Sequence, residues 1–182
     1  MSPEALFRPL AIGSLSLPNR VVMTTVKLGY APPSGEATER HQAFYVRRAR
    51  GGVGLLTTEP MFVQPNGREI PSQLAVDRDD AVPGLVRLVE AVHAAGARIM
   101  AHVNHAGRVA NPRLVAQEDR VSASAVTCPA NQVTPRPLNS EEIQELVQAF
   151  SGAARRVAEA GFDALEVPFS NGYLIHQFLS TH

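Results

Sequence analysis

The chain is 182 residues long, with 45% hydrophobic residues and seventeen basic against seventeen acidic side chains, which is enough for one core and too little for two ordinary domains. A formal charge of zero argues against a polyanion, so nucleic acid is not an expected partner, and a single cysteine, Cys128, excludes an internal disulfide or a cysteine-rich metal site. The opening MSPEALFRPL lacks the basic-then-apolar order of a secretory signal and no apolar run reaches membrane-spanning length, so a cytoplasmic location without a membrane partner is expected.

Residues 8–19, RPLAIGSLSLPN, set Gly13-Ser14 between two short alternating runs and predict a hairpin. VVMTT (21–25) is a β-branched run of strand type, followed by the turn-rich GYAPPSGE. A helical pattern from about Ala37 to Arg50 ends at Gly51-Gly52, with Arg47, Arg48 and Arg50 in the last turn, where cations complement the helix dipole. VGLLTTEP (53–60) predicts a buried strand, 80–95 a helix, and RIMAHVNH (98–105) a third strand. A long irregular loop fills 106–137. Asn139 and Glu142 have capping-box spacing and predict a helix to about Ala160, after which DALEVPF (163–169) is a fourth strand. A turn through Ser170, Asn171 and Gly172 then leads into a short helix.

Apolar strands alternating with amphipathic helices predict a parallel sheet covered by helices. The Gly-rich fingerprint of a dinucleotide fold is absent, since MTTVKLGYA follows the first strand, and no Walker motif occurs. The amino-terminal hairpin and the long loops after strands one and three favour a (β/α)₈ barrel, whose chemistry sits at the carboxyl ends of its strands. Sixteen of the seventeen basic residues are arginine. Lys27 is therefore the one lysine.

His102 and His105 lie three apart, so on a strand they point to opposite faces, and no carboxylate or thiolate accompanies them; a metal site is not expected. Taken alone, His102 reads as a hydrogen-bonded core histidine and Tyr173 as an aromatic cap under a loop. Ser170 lacks the G-x-S-x-G elbow of a hydrolase. Glu166 is expected to pair with an arginine at the end of the sheet.

Five stretches occur in order: LFRPLAIGSLSLPNRVVM, FYVRRARGGVGLLTTE, AHVNHAGR, LNSEEIQELVQAFSGAARRVAEAGFDALEV and GYLIHQFLS. Together they resemble the first half of the Old Yellow Enzyme family of FMN-dependent oxidoreductases, closest to the bacterial 2,4-dienoyl-CoA reductases. The resemblance covers 1–182 as a single domain and implies a TIM barrel of the FMN oxidoreductase type, with the first four β/α units and the hairpin present. It implies FMN as cofactor, NADH or NADPH as hydride donor, and as small-molecule substrate an activated C=C bond in an enone or an enoyl or dienoyl thioester. By position, Thr25, Val26 and Lys27 correspond to residues lining the isoalloxazine ring, and Pro60 and His102 to further flavin contacts. Tyr173 falls on the tyrosine used as proton donor, and Asn171 on the position that binds the substrate carbonyl.

Three departures stand out. His102 replaces a glutamine, Pro168 replaces the first histidine of the carbonyl-binding pair, and Lys27 stands where threonine, cysteine or histidine is common, beside the flavin O4/N5 edge. The family's loops for the FMN phosphate follow strands seven and eight and have no counterpart here. The chain is therefore expected to be an amino-terminal half that does not bind FMN at micromolar concentration by itself, and that self-associates or pairs with a complementary carboxyl-terminal half-barrel. Two alternatives stay open: a non-catalytic half-barrel, and a flavin-free lyase or isomerase using His102, Lys27 and Tyr173.

Overall fold

The computed structural model describes residues 3–181. A short helix, α1 (Pro3–Leu6), precedes the hairpin of β1 (Leu10–Ile12) and β2 (Leu15–Leu17), which pair antiparallel with Ala11 opposite Ser16. Gly13 turns this hairpin with φ +59, a conformation open to glycine at no steric cost. Ser16 and Pro18 border the same depression as Gly96, Ala97 and Arg98. The hairpin thus sits at the amino end of the main sheet.

That sheet comprises β3 (Val22–Met23), β4 (Leu55–Phe62), β5 (Arg98–Asn104) and β8 (Ala164–Glu166), all parallel and in sequential order. Sequential order is that of a barrel wall, whereas an open doubly wound sheet reverses at a switch point. The sheet is not closed, because β3 and β8 each pair on one side only. The crossovers carry α2 (Glu39–Arg50), α3 (Val82–Ala94) and α4 (Ser140–Glu159), and α2 packs on α3 as α3 packs on α4, making one helical layer. Asn139 caps α4 as expected: its side chain accepts from the Glu142 N–H at 2.8 Å, while Glu142 accepts from the Asn139 N–H at 2.9 Å.

Core residues alternate along β5. Ile99, Ala101 and Val103 are buried among side chains of the helical layer, such as Leu88 and Val92 of α3 and Ala153 and Val157 of α4. By the period of two, Met100, His102 and Asn104 face the opposite side. Strand β4 keeps step through a bulge: Thr57 pairs with Met100, but Pro60 pairs with His102, so one extra residue is accommodated. Thr58 fills the gap with its hydroxyl, which accepts from the His102 N–H at 3.0 Å.

Several boundaries differ from expectation. The VVMTT run yields a ladder only at Val22–Met23, because the Thr25 hydroxyl instead donates to the Thr58 carbonyl at 2.7 Å. Strand β4 runs on to Phe62, two residues past the expected end at Pro60. Strand β8 stops at Glu166, two residues before Pro168, which has no N–H to donate. The long loop contains β6 (Val121–Ser122) and β7 (Arg136–Pro137), a small parallel pair, and α5 (Leu174–Leu179) forms the expected last helix.

Candidate active site at the carboxyl face

Pro60, His102 and Glu166 occupy one level of β4, β5 and β8, so their side chains form a row on the face away from the helices. His102 Nδ1 lies 2.9 Å from a Glu166 carboxylate oxygen. Glu166 therefore pairs with a histidine and not with an arginine, because register sets it opposite His102. A carboxylate can only accept, so Nδ1 carries the proton and Nε2 is left as an acceptor. Burial pushes the His102 pKa down against the opposing pull of Glu166. The ring is neutral at physiological pH.

Four buried side-chain atoms among the described residues have no hydrogen-bond partner: Arg68 Nε, Glu69 Oε2, His102 Nε2 and Asn104 Nδ2. All belong to the carboxyl half of β5 or to the segment after β4. Buried polar groups are nearly always paired, so each unpaired one calls for a partner such as water, an ion or a polar ligand. His102 Nε2 suits a ring N–H, and Asn104 Nδ2 suits a carbonyl. One acceptor and one donor thus lie side by side on β5 without partners.

Lys27, Glu69 and Tyr173 converge from the loops after β3, β4 and β8. Lys27 Nζ bonds Glu69 Oε1 at 2.8 Å, with the Glu69 side chain 7% exposed and that of Lys27 45%. The Tyr173 hydroxyl lies beside both. Burial, aided by Glu69 and opposed by Lys27, raises the Tyr173 pKa. The phenol stays protonated and able to donate. Gln177 fixes this turn: its amide oxygen accepts from Ser122 Oγ at 2.7 Å and from the Arg108 N–H at 3.2 Å, and its NH₂ donates to the Ala106 carbonyl at 3.3 Å. Gly107 permits the approach, since a Cβ there would run into the Gln177 amide.

The segment carrying Val26 and Lys27 is anchored from beneath. Glu59, fully buried, accepts from the Leu28 and Gly29 N–H groups at 3.0 and 3.3 Å and meets His41 Nε2 at 2.8 Å. His41 Nδ1 accepts from the Thr38 N–H at 3.0 Å, which leaves Nε2 as the donor to Glu59.

The fold brings two pairs of the sequence-derived residues together and leaves the other three apart. His102 and Pro60 share the row, and Lys27 and Tyr173 share the charged cluster. Thr25 is tied to β4, and Val26 is half-exposed. Asn171 is exposed at the turn with φ +61, and no hydrogen bond among the described residues joins it to the others. Glu69, Asn104, Glu59 and His41 went unrecognised. An acid in a polar loop such as Glu69 carries no periodic signal, but Glu59 inside a buried strand run was a visible one.

His105 is neither in this row nor near a metal cluster, and among the described residues no group of three metal-ligating side chains occurs. Its Nε2 lies 3.1 Å from Asn66 Oδ1 and its Nδ1 accepts from the Gly107 N–H at 3.1 Å. Complete burial pushes its pKa down from 6.5 to about 3. Above pH 6.5 the ring is neutral folded or unfolded, so nothing is lost. Between 6.5 and about 3 only the unfolded chain takes up the proton, and stability falls by about 1.4 kcal/mol per pH unit. His102 adds to the loss with the same sign. Urea denaturation across this window should show the slope, and His105→Gln should flatten it.

A family model described as NADH:flavin oxidoreductase / NADH oxidase matches residues 5–182. A metal reductase of Desulforamulus reducens is 43% identical over 175 residues, covering 96% of this chain and 26% of that protein. An NADPH dehydrogenase of Bacillus subtilis is 37% identical over 176 residues, covering 96% of this chain and 51% of that protein. The structure of morphinone reductase in complex with tetrahydroNAD superposes with a TM-score of 0.87 at 33% identity, covering 97% of this chain and 52% of that one. The chain spans between about a quarter and a half of the length of these relatives.

Proposed function

Because the chain belongs to the NADH:flavin oxidoreductase / NADH oxidase family, we propose that it forms the first half of an FMN-binding (β/α)₈ barrel that reduces an activated C=C bond with NADH or NADPH. The observation that carries this is the set of unpaired buried polar atoms at the carboxyl face, headed by His102 Nε2 and Asn104 Nδ2. His102 and Asn104 would hold the pyrimidine edge, with Thr25, Val26, Lys27 and Pro60 bordering the ring. When bound, FMN supplies a two-electron carrier that accepts hydride from the nicotinamide and delivers it to the alkene. Tyr173, kept neutral by its surroundings, donates the proton to the neighbouring carbon. Asn171 is assigned to the substrate carbonyl. With Pro168 in place of a second donor, that contact is single, which favours the tyrosine-based reaction of dienoyl or enoyl thioesters over a two-donor enone clamp.

Stopped-flow mixing of the FMN-loaded protein carrying this chain, first with NADH or NADPH and then with an enone or an enoyl thioester, tests the reaction. Fast flavin reduction followed by reoxidation with the alkene is expected. Reduction with no reoxidation by any activated alkene would contradict it.

The partner is proposed from the sheet edge. Strand β8 has one free edge, beside an apolar groove of α4, β8 and α5 that includes Leu146, Val147, Phe150, Leu165 and Phe178. Covering such a surface is favourable by about 25 cal/mol per Å², so the 182-residue chain is expected to self-associate. Light-scattering mass over a dilution series should exceed the monomer mass. A monomer at every concentration, with slow amide exchange along β8, would count against it.

A further inference from the structure

We propose that Lys27 and Glu69 are positioning residues for the proton that Tyr173 delivers: Glu69 holds the ammonium of Lys27 beside the phenol, and Lys27 balances the phenolate left behind. The inference rests on the reading of Tyr173 as proton donor given above.

The geometry supports it from three sides. The Lys27–Glu69 bond is 2.8 Å, with the Glu69 side chain 7% exposed and that of Lys27 45%, so a buried carboxylate holds an ammonium that still reaches solvent. Glu69 is itself held by its backbone: its N–H donates to Gln73 Oε1 at 2.8 Å, and its carbonyl accepts from Asn111 Nδ2 at 3.0 Å. Its second carboxylate oxygen is buried and unpaired, so it can accept the Tyr173 O–H and orient it. Tyr173 also packs against the apolar cluster of Ala106, Ala110 and Val115. Lys27 and Glu69 are the charged groups that act on its hydroxyl. His102 also feels the charge of Glu69.

In the proposed reaction the phenol O–H bond breaks, its proton bonds to the alkene carbon next to the one that takes the hydride from reduced flavin, and the electron pair stays on the phenol oxygen. A buried phenolate beside Glu69 alone would be repelled. The Lys27 ammonium offsets that charge, and its half-exposed side chain gives solvent a route to return the proton.

The test reads the Tyr173 phenol itself. With ¹³Cζ-labelled tyrosine in this chain, the Tyr173 resonance is assigned by its loss in Tyr173→Phe and followed against pH. Lys27→Met should move the Tyr173 titration up by about one pH unit or more, the size expected for a charge within bonding range. Glu69→Gln should move it down, and Lys27→Arg, which keeps the charge, should restore it to near the parent position. A pair that only braces the two loops, without acting on the phenol, would leave the titration where it is. If neither K27M nor E69Q moves the titration while their amide spectra match the parent, the inference is overturned. Failure of the donor role itself would appear elsewhere, as unimpaired alkene reduction in Tyr173→Phe.

Discussion

Replacing Tyr173 by phenylalanine should slow alkene reduction by roughly 10²–10⁴-fold, the usual contribution of a positioned general acid, and leave flavin reduction by NAD(P)H nearly unchanged. The substitution removes one oxygen from a half-buried ring. The turn around it is held by Gln177 to Ala106, Arg108 and Ser122, and the Leu174 N–H donates to the His105 carbonyl at 3.0 Å, so the turn should keep its form. Measuring the two half-reactions separately makes the test specific. Equal losses in both would mean that Tyr173 supports the structure and donates no proton.

Removing the Glu59 carboxylate should have the largest effect on stability. Glu59→Ala leaves three donors without an acceptor: the buried His41 Nε2 and the part-buried N–H groups of Leu28 and Gly29. At about 1–3 kcal/mol for each stranded group, the loss is about 3 kcal/mol or more. For a chain of this size that lowers the melting temperature by roughly 10 °C. Glu59→Gln keeps one acceptor oxygen and should cost less. The same anchor holds the segment of Val26 and Lys27 against β4, so hydrogen exchange at Leu28 and Gly29 should accelerate in E59A before the rest of the sheet does. A variant with parent stability and parent exchange there would show that the carboxylate is not the anchor.

The hairpin, the helices and the capping box at Asn139 were legible because local chemistry decides them. Two strands came out shorter than their apolar runs for tertiary reasons. Thr25 turns its hydroxyl to the Thr58 carbonyl, and Pro168 cannot extend the β8 ladder. The motifs pointed to the family whose model spans 5–182, but the partners of the site residues depended on register. Only the bulge in β4 brings Pro60 level with His102, and only the parallel pairing of β5 with β8 sets Glu166 there. The charged cluster was the least legible part. Lys27, Glu69 and Tyr173 lie on three separate loops, and no spacing in the sequence relates them.

If the carboxyl face of this sheet is one wall of a flavin site, titrating the ¹⁵N-labelled chain with FMN will reveal it residue by residue. Millimolar FMN should shift the amide signals of Thr25, Val26, Lys27 and His102, and that of Met61, which follows the amide-less Pro60. The shifts should be absent from the hairpin and from α2, and saturation should require more than micromolar ligand because the ring wall alone makes few contacts. Shifts confined to other surfaces, or none at millimolar FMN in a folded chain, would rule out a flavin wall on this face.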